Sequence, residues 1–235
     1  MDFFRTPVAK VSSVPLPPEP ELELLHTRTY EVKAYRKADT TMLLRGIVHD
    51  EKPAGLYIQD DTEPLTIHHM VIDLEVSFPS MEISAVEVVF EDFPHGACPT
   101  IVPEYEKLVG LSISRGFTHR LRELFGGPRG CTHILALLQA MAPVINQTRF
   151  SMMAASARAS NRSDRSSPFD ETVSLTPEQR LAAMRFNLNT CHVWDEEGEQ
   201  VQAMKRGESG EIPVWITKRY TKLGRDVTDW RTFTR

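Results

Sequence analysis

Between Leu24 and Asp92 the chain repeatedly alternates apolar and polar residues, and this two-residue period constrains the fold more than any other feature. The segments LLHTRTYEVKAY, TMLLRGIVHD, TIHHMVIDLEVS and MEISAVEVVFED are rich in β-branched and apolar side chains. KADT, EKPAGLYIQDDTEP and FPS separate them, with Asp, Gly and Pro where turns need them. Four consecutive strands with short or moderate connections predict an antiparallel meander. The longer connection, residues 51–65, is expected to form part of a pocket rim.

After Asp92 the period changes. FPHGACPTIVP reads as a proline-rich loop and PEYEKLVGL as the opening of a short helix. FTHRLRELFGG spaces its leucines by three and ends in glycines, which predicts a helix with a glycine C-cap. CTHILALLQAMAPVINQT puts Ile134, Leu137, Leu138, Met141, Val144 and Ile145 at helical spacing, a long helix expected to bend near Pro143. Thr176 and Pro177 suit the cap and first residue of a further helix. NTCHVWDEEGEQVQAM and EIPVWITKRYTK read as two more short strands. The expected fold class is therefore α+β, an antiparallel β-meander packed against a long helix, with additional short helices and strands.

Two segments read as flexible. Residues 1–23 end in VPLPPEPELE, whose prolines favour a solvated, extended lead-in. Residues 151–171 (SMMAASARASNRSDRSSPFDE) have few bulky apolar groups and are expected to form a mobile insert at the pocket mouth. Residues 24–235 would otherwise form a single domain.

The balance of charge and apolarity narrows the functional classes. The net charge is −5, so no basic field recruits nucleic acid or an anionic membrane. No apolar run approaches the ~18 residues of a membrane span, and MDFFRTPVAK lacks the features of a secretory signal. Cys98, Cys131 and Cys191 are odd in number and widely spaced, which speaks for a reducing, cytoplasmic setting rather than a disulfide framework. The hydrophobic fraction of 41% is that of an ordinary globular domain.

Strand alternation selects the first candidate site. Leu24, His26, Arg28, Tyr30, Val32 and Ala34 share one side of the first strand; His68, Met70, Ile72, Leu74 and Val76 share one side of the third. Both sets are mainly apolar, so His26, Arg28 and His68 point inward, either as satisfied structural groups or as the lining of a cavity. His69, Asp73 and Glu75 face the other way, toward solvent. The second candidate is GGPRGCTH, residues 126–133, where glycines lead into the long helix. Free N–H groups around Gly130–Thr132 could hold an anion, with Cys131 activated there and His133 within a turn. The alternative is a helix cap by Thr132 with Cys131 packed as a small hydrophobe. The third is CHVW, where Cys191 and His192 would point to opposite faces of a strand. The histidines and cysteines at 98, 131, 133, 191 and 192 match no zinc module, so no metal is expected. No serine-hydrolase elbow, phosphate-binding loop or dinucleotide fingerprint is present.

LHTRTYEVKAYRKAD, HDEKP, HHM, the run LVGLSISRGFTHRLRELFGGPRGCTHILALL, NQT and NTCHVW together resemble a bacterial family catalogued as domain of unknown function 2889. The likeness covers about residues 25–150, with a patch near 187–194. It singles out His26, Arg28, Arg36, Asp50, Lys52, Pro53, His68 and Met70. It also marks Gly116, Arg120, Gly127, Gly130, Cys131, Thr132, His133, Gln147, Thr148, Cys191 and His192. Where the family reads His-Asp-Met this chain has His68-His69-Met70; if that acid orients the histidine, it is lost here. The resemblance implies a role in catabolism of aromatic or acyl compounds.

These readings converge on a small-molecule enzyme using acid–base chemistry without an organic cofactor, of lyase or isomerase type. His68, His26 and His133 would be its catalytic groups, and Arg28, Gly130, Cys131, Thr132 and His192 its substrate contacts. The alternative is a noncatalytic small-molecule-binding or assembly protein in which the same histidines are structural. Expected partners are a small-molecule substrate, with neither nucleic acid nor membrane, and self-association into a homo-oligomer is left open.

Overall fold

The computed structural model describes residues 18–113, 116–159, 176–185, 187–208 and 212–227. Four strands, β1 (Thr27–Ala38), β2 (Thr41–Lys52), β3 (Leu65–Ser77) and β4 (Glu82–Asp92), pair antiparallel in the order β1-β2-β3-β4. The expected meander is thus the observed sheet. Helices α1 (Phe117–Phe125) and α2 (Thr132–Ala159) follow, then α3 (Pro177–Met184), α4 (Glu199–Lys205) and α5 (Val214–Lys222). The fold is α+β.

One sheet face builds the core. Met42, Leu44 and Val48 of β2 and Met70, Ile72, Leu74 and Val76 of β3 are buried by strict alternation. Against them α2 lays Ile134, Leu137, Leu138, Met141 and Ile145, all fully buried. The closest approach is at Gly46, where an added Cβ would lie 2.5 Å from the Met141 Sδ and 3.2 Å from a Leu137 methyl. A 3-10 helix over Cys98–Leu108 buries Tyr105 and Leu108 beside Leu121 and Phe125 of α1. The segment after it pairs with the start of β4 through Gly110 N–H to Ile83 O and Ile113 N–H to Met81 O, covering part of that sheet edge.

Four expectations need correction. β1 starts at Thr27, so Leu24 and His26 precede it, and most of β1 is exposed because it is an edge strand; Val32 packs on the core. α2 runs unbroken through Pro143 to Ala159 and buries Met152, so 151–159 continues the helix rather than opening the insert; alanine-rich sequence suits a helix despite its polarity. The rest of that insert, residues 160–171, lies outside the described residues, as do residues 1–17 of the lead-in. The C-terminal strands are instead helices α4 and α5 and a 3-10 turn, His192–Trp194. In α4, Val201 and Met204 bury one helical face; in α5, Ile216 is buried while Val214 and Trp215 are exposed. A short strand must find a neighbour to bond, whereas a helix satisfies its own backbone, so β-branched composition did not decide these segments.

Thr176 does cap α3, accepting from Gln179 N–H while the Gln179 side chain accepts from Thr176 N–H, and Gly126 closes α1.

Because Gly46 is where α2 presses on the sheet, Gly46→Val should lower stability by about 1–3 kcal/mol, the usual cost of overpacking. Chemical denaturation checks this; a variant as stable as the parent would show that Met141 and Leu137 yield freely.

Candidate active site

Register brings three charged or titratable residues into one row. Arg28 of β1 sits opposite Asp50 of β2, which sits opposite His68 of β3. All three lie on the core face, since Asp50 continues the inward set Met42, Leu44, Gly46, Val48. A bulge immediately after Asp50 shifts the β2–β3 pairing, so that Glu51 meets Thr66 and Ile67 is skipped.

Asp50 is fully buried, and a buried carboxylate requires compensation. Arg28 donates Nε to Oδ1 at 2.6 Å and Nη2 to Oδ2 at 2.5 Å, a two-pronged, charge-assisted pair. The His68 Nδ1 lies 2.8 Å from Oδ2, and the His26 Nε2 lies 3.6 Å from Oδ1. Burial pushes the Asp50 carboxyl up, but the hydrogen bonds and charges of Arg28 and His68 outweigh it and hold the pKa at about 2. The Arg28 guanidinium is correspondingly raised, chiefly by Asp50. An ionised carboxylate only accepts, so His68 donates through Nδ1, and its Nε2 carries the lone pair when the ring is neutral.

His133, from the first turn of α2, completes the cluster. Its ring stacks on His68 with centroids 3.8 Å apart and planes inclined by 33°. Its Nε2 lies 4.0 Å from the Asp50 Oδ2 and its Nδ1 3.5 Å from the Cys131 Sγ. Burial pushes its pKa down, helped by the charges of His68 and Arg28 and opposed by Asp50, so His133 favours the neutral form. The Cys131 N–H donates to the Tyr105 hydroxyl at 2.9 Å. Burial pushes that phenol up, with the Cys131 bond opposing, so Tyr105 stays protonated and pins the turn that leads into α2.

The structure thus gathers His26, Arg28, His68, Cys131 and His133 around Asp50. It does not deliver them all in their expected roles. Arg28 is the counter-ion of Asp50 rather than an open anchor for substrate. Gly130 serves close packing: an added Cβ would lie 2.6 Å from the Phe125 carbonyl oxygen and 2.7 Å from its Cβ. With the Cys131 N–H committed to Tyr105, the anion hole expected at residues 130–132 loses one donor, and Thr132 is exposed at the start of the helix. His192 is exposed in the 3-10 turn, on a segment that runs beside the middle of α2 rather than its first turn.

Two members escaped the sequence reading as site residues. Asp50 was legible in the alternation of β2, one step beyond Val48. Tyr105 gave no signal, because only tertiary packing sets a 3-10 helix against the start of α2. His69 does not orient His68: it faces the other side of the sheet, with its ring 5.2 Å from that of His49 and its Nδ1 3.9 Å from Asp92. Asp50 is the orienting acid.

Asp50, His68 and His133 each bring one potential ligand atom within 4.8 Å of the others. A cation does not fit this set as arranged, because Arg28 covers both carboxylate oxygens and would lie against the ion.

Fold and site together define an antiparallel-sheet protein with an Arg-Asp-His row centred on a buried aspartate and capped by a helix-borne histidine. The model of a family described as protein of unknown function (DUF2889) matches residues 26–147, and the chain belongs to that family. No curated protein and no solved structure matches the chain.

Two outcomes are expected. His133 has a lowered pKa in the fold, so unfolding takes up a proton as pH falls below the ordinary histidine value of 6.5, and stability should decline there. Asp50 adds a second decline between the ordinary aspartate value of 3.8 and about 2. Melting temperature against pH should therefore show two acid phases, and His133→Gln should remove the upper one only. Dialysis against a strong chelator should change neither melting temperature nor metal content; one tightly held equivalent of metal would contradict the ion-pair reading of Asp50.

Proposed function

We propose that this protein is a small-molecule enzyme that works by general acid–base catalysis without an organic cofactor, with His68 as the proton-transferring group. The observation that carries this is the 2.8 Å contact between the His68 Nδ1 and buried Asp50, which fixes one ring nitrogen as donor and leaves the other as base. No helix among the described residues is long and apolar enough to cross a membrane. Three free cysteines suit a cytoplasmic setting.

Charge balance indicates the reaction class. With both imidazoles neutral, the cluster holds one guanidinium and one carboxylate and is electrically neutral. When His68 Nε2 takes a proton from a carbon beside a carbonyl, the C–H electron pair moves into the carbonyl and an enolate forms. The cluster becomes positive as the substrate becomes negative, so attraction grows toward the transition state. Returning the proton to another carbon completes an isomerisation; expelling a leaving group from the neighbouring carbon completes an elimination. An aromatic or acyl intermediate with an acidic C–H fits either course.

A second reading rests on the 3.5 Å contact of the Cys131 Sγ with the His133 Nδ1. There the thiol passes its proton to His133 and attacks the acyl carbon of a thioester, whose C–S bond breaks as the departing thiolate takes that proton back from His133. Cys131→Ala separates the two, since it abolishes acyl transfer and spares proton abstraction.

The test follows exchange of solvent deuterium into arylacetyl and aliphatic acyl thioesters by NMR, alongside the melting temperature of each variant. His68→Ala should slow exchange by roughly a hundredfold or more while the protein stays folded. A variant that melts early yet exchanges at the parental rate would return His68 to a structural role. Binding of these thioesters with no exchange, even by the parent, would favour the noncatalytic binding protein.

A further inference from the structure

The sheet has two edges, and among the described residues only one is covered. Residues 110–113 bond to the start of β4, through Gly110 N–H to Ile83 O and Ile113 N–H to Met81 O, with a bridge between Glu82 and Ser112. β1 forms the other edge over twelve residues, and no segment among the described residues bonds to the backbone of its free side. An open edge of that length is a template for a further strand.

The side chains of β1 suit a second copy of itself. Two strands related by a two-fold axis perpendicular to the sheet run antiparallel and keep each face on its own side, so one residue must lie opposite its own copy. With Val32 at that position, every residue from Thr27 to Lys37 gains a partner, nearly the whole strand. On the outer face Glu31 then meets Lys33 and Lys33 meets Glu31, two opposite-charge pairs. Within one copy these side chains already lie 2.8 Å apart, so both point to the same surface. The exposed aromatic rings fall opposite small residues, Tyr35 against Thr29 and, on the inner face, Tyr30 against Ala34. Registers centred on Glu31 or on Lys33 instead set like charges opposite each other. Arg28 and Arg36 also come opposite, but each is held by its own carboxylate, Asp50 and Asp39.

Helix α2 leaves this arrangement open. It reaches β1 beside Arg36, which donates to the Ala155 carbonyl. Because Arg36 falls opposite Arg28, the two helix crossings are eight positions apart along the strands. That is about 26 Å at about 3.3 Å per residue, against a helix diameter of about 10–12 Å.

We propose that the β1 edge is a self-association surface, where two copies pair antiparallel about Val32 and join their four-stranded sheets into one. The row His68, Asp50, Arg28 then continues into Arg36 of the second copy, so each Asp50 cluster lies beside the interface. The surface does not depend on the catalytic reading of His68.

Sedimentation velocity on the full chain from about 1 μM to about 1 mM, a span that separates micromolar from millimolar dissociation constants, tests this. The parent should dimerise. Glu31→Lys and Lys33→Glu each convert two attractive pairs into two repulsive ones and should weaken the dimer about tenfold or more. The double variant Glu31→Lys/Lys33→Glu makes the pairs opposite in charge again and should recover parental association. Melting temperatures of all three, taken at a monomeric concentration, should stay close to the parent's, because an accessible ion pair adds little stability. A parent that stays monomeric across the whole range would overturn the proposal and leave the edge to a strand of another protein. So would a dimer that both single variants leave intact, or one that the double variant fails to recover, since either places the contact elsewhere.

Discussion

The pairing of the Asp50 carboxylate with the Arg28 guanidinium is the interaction on which the site depends. Asp50 lies on the same face as Met42, Leu44 and Val48, where an uncompensated charge would oppose burial of β2. Arg28 supplies the compensation from an edge strand, and its two hydrogen bonds favour the single register that sets Arg28 against Asp50. Slipping β1 by one residue would turn Arg28 to the other face and leave the carboxylate uncovered. The pair therefore ties an exposed strand to the sheet and keeps the acid that orients His68 ionised.

Helix α2 performs three tasks along its length. Its central apolar face fills the core over the sheet, closest at Gly46. Its first turn places His133 on His68, and its middle contributes Asn146 and Arg149 to a separate cavity. A rigid helix lying across a sheet can serve both ends because its packing fixes the direction of every side chain it carries. The turn before it is equally constrained, by Gly130 against Phe125 and by Tyr105 under Cys131. Those contacts explain why a glycine-rich approach that suggests an anion loop here acts as a close-packed corner.

The two faces of the sheet separate the histidines by environment. His68 and His69 are neighbours in the chain, yet alternation sends one to the buried Asp50 and the other to a surface shared with His49 and Asp92. On that outer face charges meet in accessible pairs, such as Arg45 with Asp73 and Lys37 with Glu75. Exposed pairs of this kind contribute little to stability, typically about 0–1 kcal/mol. On the inner face Asp50 is fully desolvated, so its pairing is obligatory, and Arg28 and His68 hold it ionised.

By itself the sequence determined the four strands, the direction of their faces and the long helix, because each rests on a local period that backbone geometry enforces. Alternation was enough to turn His68 inward with Met70 and Ile72, and the spacing of Ile134, Leu137, Leu138, Met141 and Ile145 was enough to define the core stripe of α2. Membership of its family was legible too, in the GGPRGCTH segment and the His and Arg positions of the first strands. The tertiary structure decided what each inward polar group meets. Arg28, Asp50 and His133 lie far apart in the chain, and only strand register and the seating of α2 bring them together. It also decided the C-terminal segments, whose β-branched residues suit strands but whose backbone bonds are satisfied within helices. Periodicity is a property of neighbouring residues, whereas a site is a property of which elements touch, and contact depends on the packing of the whole core.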